Sequence, residues 1–358
     1  MHDSPDPLRP AGVGWRWAAI AAAVVVLAAA FAYVGGWLTP GRLTAGRLVD
    51  ELQRNGGLHP GYRRNHAKGV CVAGYFEGNG KASAYSTAPV FAAGRTPVIG
   101  RFAIPGGNPY APDSSVPIRS LALRFDLPDG QQWRTGMNSM PVFPVATPEA
   151  FFAQAVAGER DPATGKPDPA KLAAFFDAHP ETGPFRAWVK TARPSASFVS
   201  ESYYGLNAFY FVDARGDRHA VRWRVVPEAA DASAAPAGDD DYLVRDLQQR
   251  LAAAPQRWHL RVTLAAPGDP VDDATQVWPP ERTEIDAGTL VLEREQAQDD
   301  GACRDVNYDP TVLPAGIAPS GDPLLAARSA AYADSYRRRT SEEAGIPGYA
   351  TPKQEKRP

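Results

Sequence analysis

Cysteine, methionine and histidine are scarce in this chain of 358 residues, which has two, three and six of them. So few thiols and scattered imidazoles leave little room for a zinc centre built from Cys and His alone. An excess of either charge is missing too: 38 Lys plus Arg face 40 Asp plus Glu, a formal net charge of −2. Nothing in that balance favours a polyanion such as nucleic acid as partner. No internal repeat is visible. At 44% hydrophobic and 22% charged residues, the composition excludes a disordered tail, a collagen-like array and a coiled coil. What is abundant is turn chemistry. The 35 prolines and 32 glycines predict many turns and long ordered loops.

One stretch lacks charge altogether. Residues 17–38 read WAAIAAAVVVLAAAFAYVGGWL, and a helix needs about 20 apolar residues to cross a bilayer core. Trp15, Trp17 and Trp37 stand at its ends, where indole rings favour the headgroup interface. The expected organisation is a short tail over 1–16, a membrane anchor over 17–38 and one large domain over 39–358. A cleaved signal peptide is the alternative, with Ala30, Phe31 and Ala32 forming an A-x-A site. Arg9 and Arg16 before the run are nearly balanced by Arg42 and Arg47 after it, so charge alone does not orient it. Both readings place the large domain outside the cytoplasm. Cys71 and Cys303 can pair in such a compartment, although their spacing does not show that they meet.

Along the large domain, period-2 alternation predicts strands over 98–104, 120–126, 206–213, 219–226, 258–265 and 289–292, with a turn at Arg215-Gly216-Asp217. Helices are expected over 149–157, 169–179, 242–254 and from Asp322-Pro323 to about Arg339, each after a Pro or Asp start signal except the third. Residues 227–241 read as a solvated loop. Strands that follow one another through short polar turns favour an antiparallel meander. The class is α+β, built on a closed or nearly closed antiparallel barrel.

Four spots have unusual content: Arg63-Arg64-Asn65-His66-Ala67-Lys68-Gly69; Arg101-Phe102 before Gly106-Gly107-Asn108-Pro109; Gly136 to Phe143; and Arg328-x-x-x-Tyr332-x-Asp334-Ser335-x-x-x-Arg339. Taken singly, each has an ordinary structural explanation: a capped His, a turn Asn, a packed helix face with a snorkelled Arg. Taken together and in order, they resemble the haem catalase superfamily, and within it the short catalase-related peroxidases with an N-terminal membrane anchor. R-x-x-H-A-K-G is matched by Arg63 to Gly69. R-F, then R-x-[FL]-A-[VL]-[KR]-F, is matched by Arg101-Phe102 and by Arg119 to Phe125. N-x-x-P-[VI]-F is matched by Asn138 to Phe143, and Tyr-Gly-x-[HN]-x-F by Tyr204 to Phe209. R-x-x-x-Y-x-D-[ST]-x-x-x-R is matched at every fixed position from Arg328 to Arg339.

The resemblance implies a catalase-like barrel of about eight strands with surrounding helices, preceded by one transmembrane helix. It also implies haem b, with Tyr332 as axial iron ligand, tyrosine ligation being the known catalase case. Arg328, one turn earlier, would donate to the phenolate. His66 would move the peroxide proton and Asn138 would orient the peroxide. Arg63, Arg101 and Arg339 would pair with the haem propionates, and Phe143 and Phe151 would pack by the macrocycle and distal pocket. The implied partners are a hydroperoxide, an unknown electron donor and a membrane through residues 17–38, with a homo-oligomer open. The implied place is a bacterial inner membrane, with the domain in the periplasm, or the periplasm itself after signal cleavage.

Two departures stand out. Large catalases carry a Ser two residues after the R-F arginine that bonds the distal His, and here that position is Ala103. Where their Tyr-Gly-x-[HN] strand has a His, this chain has Asn207. The chain also stops at residue 358, shortly after Tyr332. A wide approach to the haem is therefore expected, and with it peroxidase activity on organic hydroperoxides and hydrogen peroxide over efficient dismutation. The alternatives are a hydroperoxide isomerase on the same fold and a non-catalytic haem-binding or storage protein.

Overall fold

The computed structural model describes residues 13–35, 37–39, 41–229, 235–236 and 238–346. Most of the tail expected over 1–16, and residues 230–234 and 237 of the loop expected over 227–241, lie outside them. Ten strands form one antiparallel sheet: β1 Gly69–Gly78, β2 Gly94–Ala103, β3 Ser120–Asp126, β4 Gln132–Asn138, β5 Tyr203–Tyr204, β6 Phe209–Val212, β7 Arg218–Pro227, β8 Gln256–Leu264, β9 Glu284–Ala297 and β10 Ile317–Pro319. Eight of them close on themselves in the order β1, β2, β3, β4, β5, β7, β8, β9, because β7 pairs with β8 as well as with β5. β6 and β10 extend from the other end of β7. The expected eight-strand barrel is present.

Its interior is solid. Phe76, Phe102, Phe125, Trp133, Tyr203, Trp223 and Trp258 are buried there; Phe125 stacks on Trp133 at 4.6 Å and Phe209 on Trp223 at 4.4 Å. Most polar ends of these rings are satisfied: Trp223 Nε1 donates to Thr135 Oγ1 at 3.0 Å, the Tyr203 hydroxyl to Phe198 O at 2.6 Å and Trp258 Nε1 to Glu201 O at 3.2 Å, while Trp133 Nε1 is buried without a partner. A barrel filled in this way has no chamber for a ligand, so any site must be built on its outside.

The strand period supplies that outer wall. On β3, Leu121, Leu123 and Phe125 join the core, which turns Ser120, Ala122 and Arg124 outward. Register then sets Cys71, Arg101, Ala122 and Gly136 side by side across β1 to β4.

The helices are α1 Val13–Val34, α2 Ala45–Gly56, α3 Pro148–Ala157, α4 Pro169–Ala178, α5 Gly183–Thr191, α6 Tyr242–Ala253 and α7 Pro323–Glu343. α1 stands exposed and is long and apolar enough to cross a membrane, by length and composition. It ends at Val34, four residues before the charge-free run does, because the chain turns at Gly35. α2 starts at the cap Thr44, whose Oγ1 accepts from Arg47 N at 3.3 Å, and packs against α7 and α3.

Several expectations need amendment. The strand expected over 206–213 is confined to 209–212, since Leu206 takes a left-handed φ of 62° and breaks the extended chain. The turn at 215–217 is present, with Gly216 at φ 86°. Strands β1, β4, β5 and β10 and helices α2 and α5 lie outside the expected elements. β1 carries glycines at 69, 74 and 78, which mask alternation, while α5 contributes no buried residue.

Candidate active site

Three parts of the chain meet on the outer wall. The segment 63–67 leads into β1, the ends of β3 and β4 carry Ser120 and Asn138, and α7 lies across them. Leu48, Val49 and Leu52 of α2 and Phe143 and Phe151 close the sides. All nine residues named from the sequence line this one cavity: Arg63, His66, Arg101, Asn138, Phe143, Phe151, Arg328, Tyr332 and Arg339.

On α7, Arg328 and Tyr332 share a face, one turn apart. Arg328 Nη2 lies 3.4 Å from the Tyr332 hydroxyl and 3.3 Å from Gly136 O, and its Nη1 donates to Asn207 Oδ1 at 2.5 Å. Asn207 Nδ2 in turn donates to Asp322 Oδ2 at 2.7 Å, and Asp322 Oδ1 caps α7 through Leu324 N. The helix start and the Arg–Tyr pair are thus one hydrogen-bonded unit. Gly136 leaves room for it, since a β-carbon there would stand 3.2 Å from Arg328 Nη2 and 3.8 Å from the Tyr332 oxygen.

Facing them, His66 is half-buried with its Nδ1 covered, and its pKa is pushed down to about 3, first by desolvation and then by the charges of Arg101, Arg328 and Arg63. Its Nδ1 has no hydrogen-bond partner, and Ala103, buried in the same cavity, has no hydroxyl to offer. Asn138 is oriented by Ser120, whose Oγ donates to Asn138 Oδ1 at 2.6 Å. That bond leaves the Nδ2 group as the donor available to the cavity. Phe143 and Phe151 stack on each other at 5.8 Å.

The cations are the informative part. Arg63 gives three hydrogen bonds, to the carbonyls of Cys303, Arg304 and Val306. Arg101 bonds Ala67 O and Gln298 Oε1, and its Nε has no partner. Arg339 lies over the Tyr336 ring at 4.8 Å and approaches exposed Asp305 at 3.8 Å, and its Nη2 has no hydrogen-bond partner among the described residues. Burial lowers all three pKa values, that of Arg63 to about 10. Buried guanidiniums without close carboxylates leave charge uncompensated, so the cavity calls for an anionic group. Together with a tyrosine opposite a neutral histidine and the small Ala122 and Gly136 in the wall, that set fits a flat dianionic macrocycle such as haem.

Sequence reasoning missed Ser120, Gln298, Asn65 and the α2 wall. The amphipathic spacing of α2 is a usable signal. The others become visible only when the strands are in register.

Comparison with known proteins gives this barrel and cavity their class, an oxidoreductase acting on peroxide. The catalase family model matches residues 45–347, and the chain belongs to that family. It is 39% identical to a catalase-related peroxidase of Synechococcus elongatus, over 91% of this chain and 97% of that protein. A catalase-related peroxidase of Mycolicibacterium paratuberculosis is 32% identical over 85% of this chain and 97% of its own. Sus scrofa catalase is 29% identical over 76% of this chain but only 55% of its own length. Among solved structures, a fungal catalase superposes with a TM-score of 0.71 at 20% identity, covering 84% of this chain and 64% of that one. Catalase A of Saccharomyces cerevisiae gives 0.69 at 21% identity, covering 84% and 65%. Family membership implies a haem cofactor.

Proposed function

We propose that this chain is a haem b peroxidase that reduces organic hydroperoxides and hydrogen peroxide at the expense of an external electron donor. The observation that carries the reading is the cavity itself, which sets an unprotonated His66 and a donor Asn138 across from the Arg328–Tyr332 pair. Tyr332 would hold the iron and Arg328 would stabilise its phenolate. Arg63, Arg101 and Arg339 would hold the propionates, and Phe143 and Phe151 would pack beside the ring. A bound haem supplies the redox-active iron at which the peroxide O–O bond is cleaved.

His66 would take the proton from one peroxide oxygen and return it to the other, which would leave as water or as an alcohol. Asn138 Nδ2 hydrogen-bonds the peroxide and holds it in line without changing charge. The apolar side made by Leu48, Val49, Leu52 and Phe151 suits the carbon end of an organic hydroperoxide. The names of the two near-full-length relatives favour peroxidase over dismutation. α1 is the membrane anchor of a domain that begins near residue 39, placed in the periplasm. The disulfide between Cys71 and Cys303 supports an oxidising compartment.

Purified haem-loaded protein is expected to show a high-spin ferric spectrum with phenolate ligation. An unsaturated fatty-acid hydroperoxide given with a one-electron donor is expected to yield its alcohol and oxidised donor. An epoxide or allene oxide without donor consumption would identify an isomerase, and a haem spectrum without turnover a storage protein.

The pH profile follows from the environment of His66. Its pKa in the folded chain is lowered from 6.5 to about 3, so the neutral base is present above that value and is lost only as pH falls towards it. The rate constant of the peroxide step is therefore expected to be flat from about pH 5 to 9, with no titration near 6.5. Stopped-flow mixing across that range checks this, and a midpoint near 6.5 would contradict it.

A further inference from the structure

The segment that carries His66 is in a conformation it would not hold unaided. His66 has φ 56°, in the left-handed region where a side chain crowds the backbone. Such a residue persists only where its surroundings over-determine it. Asn65 Oδ1 accepts from the His66 N–H at 2.9 Å and from the Gly106 N–H at 2.8 Å. Ala67 N–H donates back to Gly106 O at 2.9 Å, and Ala67 O accepts from Arg101 and Gln298 at 3.1 and 3.2 Å. One residue before Asn65, Arg64 is buried in an ion pair with Glu342 of α7, and its N–H donates to Ser335 Oγ at 3.3 Å. The backbone around His66 is thus tied on both sides. Its ring is not: Nδ1 is buried and unpartnered.

We propose that Asn65 is the positioning residue for His66. Its side-chain carbonyl, held between the N–H groups of His66 and Gly106, sets the backbone from which the imidazole is aimed, in place of a hydrogen bond to the ring. A carbonyl oxygen has two lone pairs and takes both donors, and the short Asn side chain reaches the N–H of the very next residue. The inference rests on reading His66 as the proton-transfer base.

Cyanide association with the ferric, haem-loaded full chain, followed by the Soret shift, tests it without turnover. Hydrogen cyanide must give up its proton to bind, so the association rate reports the base. Asn65→Ala is expected to slow cyanide association and kcat/KM for hydrogen peroxide in parallel, by about 10- to 100-fold. Asn65→Asp keeps an oxygen that accepts both N–H groups and is expected to stay within about threefold of the parent.

If His66→Ala binds cyanide at the parental rate, the base reading fails and this inference with it. If His66→Ala is slow while Asn65→Ala keeps the parental rate, the positioning role alone is overturned. Equal losses in Asn65→Asp and Asn65→Ala overturn it too, because an oxygen held between the two N–H groups would then not be what positions His66. Should Asn65→Ala fail to take up haem, Asn65→Ser, whose shorter side chain spans the two donors less well, is judged by the same rates. A slowed rate supports the role and a parental rate overturns it.

Discussion

Replacing His66 by alanine is expected to lower kcat/KM for hydrogen peroxide by about 10²- to 10⁴-fold, the usual range for removing a positioned general acid–base group. The size of the loss follows from the surroundings. The His66 ring is desolvated beside Arg101, Arg328 and Arg63, so it is neutral and able to accept a proton above about pH 3. Those same cations disfavour a second positive charge, so the proton it accepts is readily given up to the leaving oxygen. In the alanine variant a water has to serve instead, as a weaker base with no fixed orientation. Haem uptake should survive, because the tyrosine, the guanidiniums and the β-wall are untouched. Stopped-flow rates at pH 7 on variant protein with a parental Soret band make the measurement. A fall of less than about tenfold would remove His66 from this role.

Loss of the Cys71–Cys303 bond is expected to be the largest single blow to stability. The cysteines are 232 residues apart in sequence, with Cα atoms at 5.3 Å. A cross-link closing so long a loop removes much chain entropy from the unfolded state, and deleting a native disulfide costs about 2–5 kcal/mol. For a domain of this size that is a fall in Tm of roughly 3–8 °C. The damage should also reach the cavity, since Arg63 is held by the carbonyls of Cys303, Arg304 and Val306, and Cys71 shares a cross-strand row with Arg101. A Cys71→Ala, Cys303→Ala double variant should therefore melt earlier and bind haem less tightly. Parallel melts of the parent with and without reductant provide the check. Coincident curves would show that the bond contributes nothing.

The parts of the site that were legible in sequence are those whose chemistry is local. Arg328 and Tyr332 are one helical turn apart, and Asp322-Pro323 marks where that helix starts. The regular alternation of 120–126 gives a strand with one inward and one outward face. Asn207 was visible as a departure, but its consequence was not, because its partners Asp322 and Arg328 lie 115 and 121 residues away. α2 was overlooked beside the far more apolar α1, although its Leu48, Val49 and Leu52 form one side of the cavity.

By itself the sequence determined the family motifs, the period of the strands, the helix starts and the charge-free run long enough to span a bilayer. These depend on covalent spacing and on which side chains repeat every 2 or 3.6 residues. Only the tertiary structure decided that the aromatic barrel is filled and carries its cavity outside. It also decided that Cys71 meets Cys303, that Ser120 turns the Asn138 amide, and that Asn65 and Gly106 hold His66 in a left-handed conformation. Each of these depends on register and on contacts between segments distant in the chain, which no local pattern encodes.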